Sequence, residues 1–395
     1  MEPTPDSSSL SWFQVRYWSP PEDPDKPLLP YLPGFSVQIH RHAPPPPFGF
    51  CTEEEIKAIG IQERPELSTD YLKTVTQSVA VVANPPVGGF PSAGTAQLVI
   101  TSHIAAGAAR GAQVVACKIT PQDGDGHPFT AAAKIYDPLY YKFKSRWVDL
   151  PEDCVQNADD DFIIETWAYE LLKRTGRTGR GSFAPEYYGT WTFTLPIVTK
   201  GIPTTRPVRL ILIELLNGLS IQASRLQNNP DSRAGTDSFH YPEEYRLEVV
   251  ARAMEKYVRQ QHTGVIQGDF AGRNIILCPD ESPEPEMICG IALPRIVLVD
   301  YNRANRPRPS SRYKDESRPM KPAIEFWDDW LWDDLAGWVP NSWHDSKVQD
   351  QWLLQRFCGP GQRELYSPLP PMIDQMIPQN NVGSQKDGDD SREAA

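Results

Sequence analysis

Two polar side chains precede a strand that otherwise has the pattern of buried core, in the stretch GVIQGDFAGRNIILC of residues 264–278. Asp269 and Asn274 are both poor strand formers, yet they stand directly before the apolar run IILC. A second apolar run, RIVLVDY, follows after an acidic, Pro-containing loop and ends at Asp300. Two short apolar runs joined in this way predict a buried hairpin. Asn274 and Asp300 would then lie at the same end of that hairpin.

The chemistry of these side chains suits a metal-bound phosphate. An amide oxygen and a carboxylate are ligands that Mg²⁺ prefers, and this ion usually shares its coordination shell with phosphate. Asp269, a few residues upstream, could face an incoming hydroxyl group and orient or deprotonate it. A metal, a phosphate and a carboxylate facing the acceptor are what phosphoryl transfer requires. Taken alone, however, an Asp followed at this spacing by an Asn occurs often by chance in structural roles.

The rest of the chain predicts a strand-rich front part and a more helical back part. The front part contains four apolar, β-branched runs and one helix pattern with acidic residues near its start and Gly176 at its end. The back part contains a long helix pattern before the predicted hairpin and an aromatic, acidic helix candidate after it. In chain order these segments are AQLVITSHI, AQVVACKIT, FTAAAKIYD, DDDFIIETWAYELLKRTG, VRLILIELLNG, YPEEYRLEVVARAMEKYVRQQH and EFWDDWLWDDLAGWV.

These motifs, in this order, resemble those of the protein-kinase-like fold. QGDFAGRNIIL followed by LVDY resembles its catalytic loop and metal-binding Asp, and is closer to the aminoglycoside/choline-kinase-like branch. AAAKIYDPLYY, IETWAYELL and DDLAGWVPNSW are similar to segments of a fungal protein-kinase-like family. The resemblance covers roughly residues 95–360. It implies an α+β, bilobal protein-kinase-like fold, with a small antiparallel-sheet N-lobe carrying one helix and a reduced, mainly helical C-lobe.

The resemblance also implies a role for each matching residue. Asp269 would be the catalytic Asp, and Asn274 and Asp300 would bind Mg²⁺. Lys134 would hold the α- and β-phosphates of ATP, and Glu165 would pair with Lys134. Taken one at a time, Lys134 would more often be a surface lysine at a strand end, and Glu165 a solvated helix residue.

Two further segments of the nucleotide site follow from the same resemblance. AAGAARGAQVV occupies the place of the phosphate-covering loop, in which Gly107 and Gly111 would permit close backbone approach. Glu214 to Leu216, in LIELLNG, would hydrogen-bond adenine through backbone groups. ATP and Mg²⁺ are therefore the expected cofactors.

The sequence departs from the family pattern near the catalytic loop. Gln267 stands where the family usually has His, a residue that supports the loop from behind. Ala271 stands where protein kinases carry a Lys that steadies the γ-phosphate. In the aromatic segment, Asp333 or Asp334 would accept hydrogen bonds from the loop backbone, and its Trp residues would pack in the core.

We expect an ATP- and Mg²⁺-dependent phosphotransferase whose hydroxyl acceptor, a small molecule or a protein, the sequence does not identify. The alternative is a pseudokinase, a nucleotide-binding or scaffold protein without catalysis. A third interpretation, an unrelated α+β binding protein, requires the motif order to be coincidence. Loss of Asp269 or Asp300, which would favour the scaffold, is not observed.

Composition indicates where such a protein would act. The Pro-rich segment 1–70 is predicted to be an N-terminal extension, followed by an N-lobe at 71–218, a C-lobe at 219–378 and a disordered tail at 379–395. A net charge of −12 argues against a nucleic-acid partner. The apolar runs are too short for membrane insertion, and six scattered Cys fit a reducing compartment. We therefore expect an intracellular protein, cytoplasmic or nuclear.

Overall fold

Strands rich in β-branched and small apolar residues build a closed antiparallel barrel in the described part of the chain. The strands of this barrel are β1 (Ser36–Ala43), β2 (Phe90–Ala105), β3 (Gln113–Pro121), β4 (Phe129–Tyr136), β5 (Tyr187–Thr199) and β6 (Ile202–Glu214). Around the barrel their order is β1, β2, β3, β4, β6, β5, and β5 pairs with β1 to close it. On β4, alternate residues Ala131, Ala133 and Ile135 are fully buried and point away from the face that carries Lys134.

The remaining elements are helices and short strands. The computed structural model describes residues 18–59, 64–124, 126–226, 235–279, 284–307, 317–327, 331–344, 346–362 and 364–368. The helices are α1 (Glu53–Ile59), α2 (Thr69–Thr74), α3 (Gln77–Ala83), α4 (Cys154–Arg174), α5 (Glu243–His262), α6 (Pro322–Glu325), α7 (Leu331–Asp334) and α8 (Val348–Phe357). Four 3₁₀ turns lie at Phe48–Phe50, Pro138–Tyr140, Asn341–Trp343 and Pro360–Gln362. The short strands are β7 (Leu219–Ser220), β8 (Ile275–Cys278), β9 (Met287–Ile288), β10 (Ile291–Ala292) and β11 (Arg295–Leu298).

The predicted bilobal fold, with a small sheet lobe and a mainly helical second lobe, is wrong. The sheet is a closed six-stranded barrel, and helix makes up only 27% of the structure. The reason lies in β1, which belongs to the Pro-rich segment that the sequence places outside the sheet. β1 pairs with β2 from Ser36 to Ala43, and with β5 at His40 and Arg41. That second pairing joins two strand edges that would otherwise stay open.

A helix, α4, is present in the region where the sequence predicts one, and a side chain caps its N-terminus. The Asp153 carboxylate accepts hydrogen bonds from the backbone N–H groups of Val155 and Gln156, at 3.1 and 3.0 Å, and so caps the helix. The buried face includes Phe162, Glu165, Ala168, Tyr169 and Leu172, a set at helical spacing. Two charged residues of α4, Glu165 and Asp159, are therefore buried on the side that packs against the barrel, where Asp159 pairs with Arg209 of β6.

The predicted hairpin is also present. β11 pairs antiparallel with β8, with Leu298 opposite Ile275 and Arg295 opposite Cys278. The backbone N–H of Val299 donates to the carbonyl of Asn274 at 3.0 Å, which continues the pairing one step further. Asn274 and Asp300 therefore lie at the same end of the hairpin, as the sequence predicts.

In the described residues of the aromatic segment 325–339, helix is found at Glu325, the last residue of α6, and in α7. Residues 328–330, with Trp330, and the tail 379–395 lie outside the described residues. Trp332 and Trp338 are buried, which supports core packing for these two rings. Asp334 meets the loop before β8 through its backbone, because its carbonyl accepts from the Gly272 N–H at 3.0 Å.

Candidate functional site

Three charged side chains from separate parts of the chain meet at one point between the barrel, α4 and the hairpin. The Lys134 ammonium on β4 donates to the Glu165 carboxylate on α4 and, at 2.5 Å, to the Asp300 carboxylate after β11. The side chains of Lys134 and Glu165 are 9% and 1% exposed, whereas that of Asp300 is 36% exposed. The Tyr136 hydroxyl donates to Glu165 at 2.7 Å. We call Lys134, Glu165 and Asp300 the charged triad.

Burial and charge act against each other in the triad. Burial disfavours the ammonium of Lys134, but Asp300 and Glu165 outweigh it and raise the pKa of Lys134. Burial likewise disfavours the Asp300 carboxylate, but Lys134 and then the more distant Arg273 and Arg303 lower the pKa of Asp300. Lys134 is therefore held as a cation and Asp300 as an anion. With two carboxylates on one ammonium, the site suits an added cation.

The backbone around Asp300 is strained and braced from two sides. Asp300 has a φ of +66°, in the left-handed region that costs a non-glycine residue energy. The N–H of Tyr301 donates to Glu165 at 3.3 Å. On the other side, Gln267 is fully buried and its amide nitrogen donates to the Val299 carbonyl at 2.5 Å. Gln267 thus supports this segment from behind.

Asp269 and Asn274 are joined directly. The Asn274 amide nitrogen donates to the Asp269 carbonyl at 3.0 Å and to its Oδ2 at 2.8 Å. Arg273 donates through Nη2 to Oδ1 and Oδ2 of Asp269, at 2.6 and 2.7 Å. The two partners differ in exposure, because the Arg273 side chain is 54% exposed and that of Asp269 only 17%. Sequence reasoning assigned Asp269 and Asn274 but did not identify the Arg273 contact.

A second residue missed from the sequence is Asp161, one helical turn before Glu165 on α4. Its carboxylate accepts from the Tyr141 hydroxyl at 3.1 Å and from the Asn302 amide at 3.2 Å. Burial raises the pKa of Asp161 to about 6, although Lys134 and the Tyr141 hydrogen bond oppose the shift. The i, i+4 spacing to Glu165 was the available signal. The sequence pattern predicts that the acidic residues 159–161 form the start of the helix, whereas α4 begins earlier, at Cys154.

The predicted phosphate-covering loop connects β2 to β3 and is held by one side chain. Gln113 is fully buried, and its amide oxygen accepts from the Gly107 N–H at 2.7 Å. Its amide nitrogen donates to the carbonyls of Gly107 and Gly111, at 3.0 and 2.9 Å. A side chain on Gly111, whose φ is +100°, would approach the Tyr141 ring to 3.8 Å. The loop therefore lies beside the residue that bonds Asp161.

Glu214 to Leu216 line a different part of the molecule from the triad. A cavity of about 690 Å³ is bordered by residues 214–217, and none of the triad residues belongs to its lining. The Glu214 N–H already donates to the Glu186 carbonyl at 2.8 Å, and its carboxylate accepts from Arg295 at 2.6 and 3.0 Å. Burial favours neutral Glu214, but Arg295 outweighs it and lowers the pKa of Glu214. The triad, with its convergent charges, is the better candidate for chemistry than this cavity.

The residues at the hairpin end fit a magnesium ion that is shared with phosphate. Asn274 donates both of its hydrogen bonds from the amide nitrogen, which leaves the amide oxygen as a possible ligand. Asp300, at the same end, is partly exposed and held as an anion. Across the described ranges, no cluster of three or more His, Cys, Asp or Glu has a metal-site arrangement. Mg²⁺ bound with substrate phosphates needs only one or two protein carboxylates, so the residues present are sufficient.

Two further findings concern membrane spans and known proteins. In the portion of the chain with a described structure, no helix has both the length and the apolar character needed to cross a membrane. Neither a scan against protein-family models nor a search of the curated proteins finds a match for this chain.

Proposed function

We propose that this protein transfers a phosphoryl group from ATP to a hydroxyl acceptor. One observation carries the proposal: a strand lysine, a helix glutamate and the hairpin Asp300 converge in one charged triad. At the same hairpin end lies Asn274, which is bonded to the partly buried Asp269. A metal site, an anion-binding ammonium and a carboxylate that faces the acceptor are the parts that phosphoryl transfer uses. The proposal rests on these side chains and not on a bilobal architecture.

Each residue has a distinct part in this chemistry. Lys134 offers its charge to the phosphates that precede the transferred group, and Glu165 keeps the ammonium in place. Asp269 orients the acceptor hydroxyl and accepts its proton as the new phosphate ester bond forms. The product of the step is ADP, because the terminal phosphate leaves its bridging oxygen on the donor.

Magnesium would be held by the Asn274 amide oxygen and the Asp300 carboxylate together with the phosphates. Bound there, the ion would neutralise charge that develops on the phosphate oxygens. Asn274 would also keep Asp269 oriented, through the bond from its amide nitrogen. The strained backbone of Asp300, braced by the Tyr301 N–H on Glu165, would aim that carboxylate at the same place.

A specific observation favours one alternative, a nucleotide-binding protein without catalysis. Arg273 donates to both oxygens of Asp269, so an acceptor hydroxyl must compete with a guanidinium for the carboxylate. If that ion pair never opens, the triad would still bind nucleotide while no transfer would occur. Binding and turnover must therefore be measured separately.

Thermal unfolding with ATP and Mg²⁺ tests binding. Saturation at about 100 times the dissociation constant stabilises a folded protein by roughly 2.7 kcal/mol. We expect Lys134→Met and Asp300→Ala to abolish that shift, whereas Asp70→Asn should keep it. Asp70 is a fitting control because it is a carboxylate on the surface helix α2 that is 94% exposed and, among the described residues, pairs only with Lys73. The absence of a shift in the unmodified protein at millimolar ATP would contradict the proposal.

ADP release tests turnover. Asp269→Asn should keep the ATP-dependent thermal shift and lose ADP formation, since the amide retains the shape of the side chain but cannot accept a proton from the acceptor. Equal ADP formation by Asp269→Asn and the unmodified protein would remove Asp269 from the mechanism. A normal thermal shift with no ADP formation in the unmodified protein, over a broad panel of hydroxyl acceptors, would favour the non-catalytic alternative.

A further inference from the structure

The Asp269 carboxylate accepts hydrogen bonds from two neighbouring side chains. Arg273 donates to each of its two oxygens, and Asn274 donates to Oδ2 as well. A carboxylate offers about four lone-pair directions, and these bonds use three of them. Asn274 is almost fully buried and belongs to the loop framework, so Arg273 is the donor that can leave. A hydroxyl group gains full access to Asp269 only after Arg273 moves.

Arg273 is well placed to move and to bind something else. Its side chain is 54% exposed, and its only described ion pair is the one with Asp269, four residues earlier. Water screens the ion pairs of an arginine that is exposed to this degree. The guanidinium fork matches the geometry of a carboxylate or phosphate and binds either group through paired hydrogen bonds. An anion of the acceptor can therefore replace Asp269 as the partner of Arg273.

A second arginine stands beside the same loop. The Arg303 Cβ lies 3.4 Å from the position that a side chain on Gly268 would occupy, directly before Asp269 in the chain. Arg303 is exposed, and no hydrogen bond from its guanidinium is found within the described ranges. Both arginines also act on Asp300, since each contributes to the low pKa of that carboxylate. In a chain of net charge −12, two arginines thus lie beside the loop that carries Asp269.

We propose that the acceptor carries an anionic group, a phosphate or a carboxylate, close to its reactive hydroxyl, and that Arg273 is the residue that selects it. The anion draws the guanidinium of Arg273 away from Asp269, with Arg303 adding to the attraction. The freed carboxylate then receives the proton of the hydroxyl group. Neutral hydroxyl compounds, water included, leave Arg273 on Asp269 and react slowly. This inference rests on the proposed phosphoryl transfer and adds the chemical class of the acceptor.

The first experiment measures anion binding without turnover. Inorganic phosphate is titrated into the full-length protein at constant ionic strength, and the thermal unfolding temperature is followed. We expect Arg273→Gln to weaken phosphate binding about 10- to 100-fold, the effect of losing charge-assisted hydrogen bonds. Arg252→Gln is the matched control, because Arg252 also pairs with a residue four positions away, Glu248, and its side chain is 38% exposed. Lys134→Met separates phosphate bound at the triad from phosphate bound at Arg273.

Two results of this titration would overturn the proposal. One is the absence of any stabilisation of the unmodified protein by phosphate. The other is equal phosphate binding by Arg273→Gln, Arg252→Gln and the unmodified protein. If phosphate binds through Arg273 while ATP and Mg²⁺ bind nowhere, the anion site stands and the proposed phosphoryl transfer fails. The two proposals can therefore be judged independently.

The second experiment measures ADP release with acceptor pairs that differ by one charged group. Glycerol is compared with glycerol 3-phosphate, and ethylene glycol with glycolate, so that phosphate and carboxylate are tested separately. We expect kcat/KM to be at least about 10-fold higher for an anionic member. Arg273→Gln should remove that preference by raising KM for the anionic acceptor, with KM for ATP unchanged. A preference that survives in Arg273→Gln, or equal rates for charged and neutral members, would contradict the assignment.

Discussion

Removal of the Lys134 ammonium should destabilise the fold far more than removal of the Glu165 charge. Lys134→Met leaves Glu165, whose side chain is 1% exposed, without a cation and with only hydrogen bonds from Tyr136 and the Tyr301 N–H. Loss of one partner from a buried ion pair costs about 3–5 kcal/mol. Glu165→Gln leaves Lys134 paired with Asp300, so its cost should be that of a charge-assisted hydrogen bond, about 1–3 kcal/mol.

The double variant Lys134→Met/Glu165→Gln gives the decisive comparison. It leaves no ionised group in the deeply buried part of the triad, and Asp300, at 36% exposed, can be solvated. We expect it to be no less stable than Lys134→Met alone, with a coupling free energy between the two sites of about 1–3 kcal/mol. Urea unfolding followed by circular dichroism measures each free energy, provided that the m-values agree.

Additive effects would refute this reasoning. If the two single free-energy changes sum to that of the double variant within about 0.5 kcal/mol, Lys134 and Glu165 are not coupled. Lys118→Met on β3 is the control for loss of a lysine from the barrel, because Lys118 is exposed. That substitution should change the free energy of unfolding by no more than about 0.5 kcal/mol.

Three further predictions follow from backbone strain and from burial of titratable groups. Gly268→Ala should destabilise the protein by at least about 2 kcal/mol, because φ is +80° and the new Cβ would lie 2.3 Å from the Arg303 carbonyl oxygen. The control Gly290→Ala, with a φ of +78° and open space around it, should cost only about 1–2 kcal/mol. Urea unfolding measures both changes. Burial and a neighbouring arginine lower the pKa of His42 to about 4, so the unfolded chain binds this proton first. Stability should be complete above pH 6.5 and, once solvent screening of the partly exposed imidazole is included, fall by about 1–2 kcal/mol toward pH 4. His42→Gln should remove that fall. Asp161 should have the opposite effect on the pH dependence of stability, because its pKa of about 6 in the folded protein lies above the ordinary 3.8. Its contribution to stability is greatest below pH 3.8 and is lost as pH rises to 6, so Asp161→Asn should increase the free energy of unfolding by about 2 kcal/mol at pH 7. A variant without that gain in urea unfolding would contradict the assignment.

Local patterns in the sequence predicted the parts of the site that lie on regular elements. The apolar runs on either side of a loop gave the hairpin, so Asn274 and Asp300 were expected at one end and are found there. The barrel could not be predicted in the same way. Its closure depends on the pairing of Arg41 with Trp191, and nothing in a short strand specifies a partner so distant in sequence. The Arg273 contact was missed for a related reason, since a loop side chain has no periodicity to reveal its direction.

Lys134 and Glu165 are held more firmly by the surrounding structure than Asp300 is, and this difference decides how the triad would respond to a phosphate. Lys134 lies on β4, which is paired on both sides by β3 and β6, and Glu165 projects from a capped helix with its side chain fully buried. Asp300 lies two residues after the end of β11, is partly exposed and has a φ of +66°. A phosphate that approaches Lys134 therefore competes with Asp300 and leaves the bond to Glu165 in place. A cation bound at Asp300 would replace the Lys134 ammonium as the partner of that carboxylate. Lys134 would then pair with the phosphate, and Asp300 with the cation. Cation and phosphate should consequently bind with positive coupling, and Asp300→Ala should lose that coupling while Lys134 keeps Glu165 as its partner.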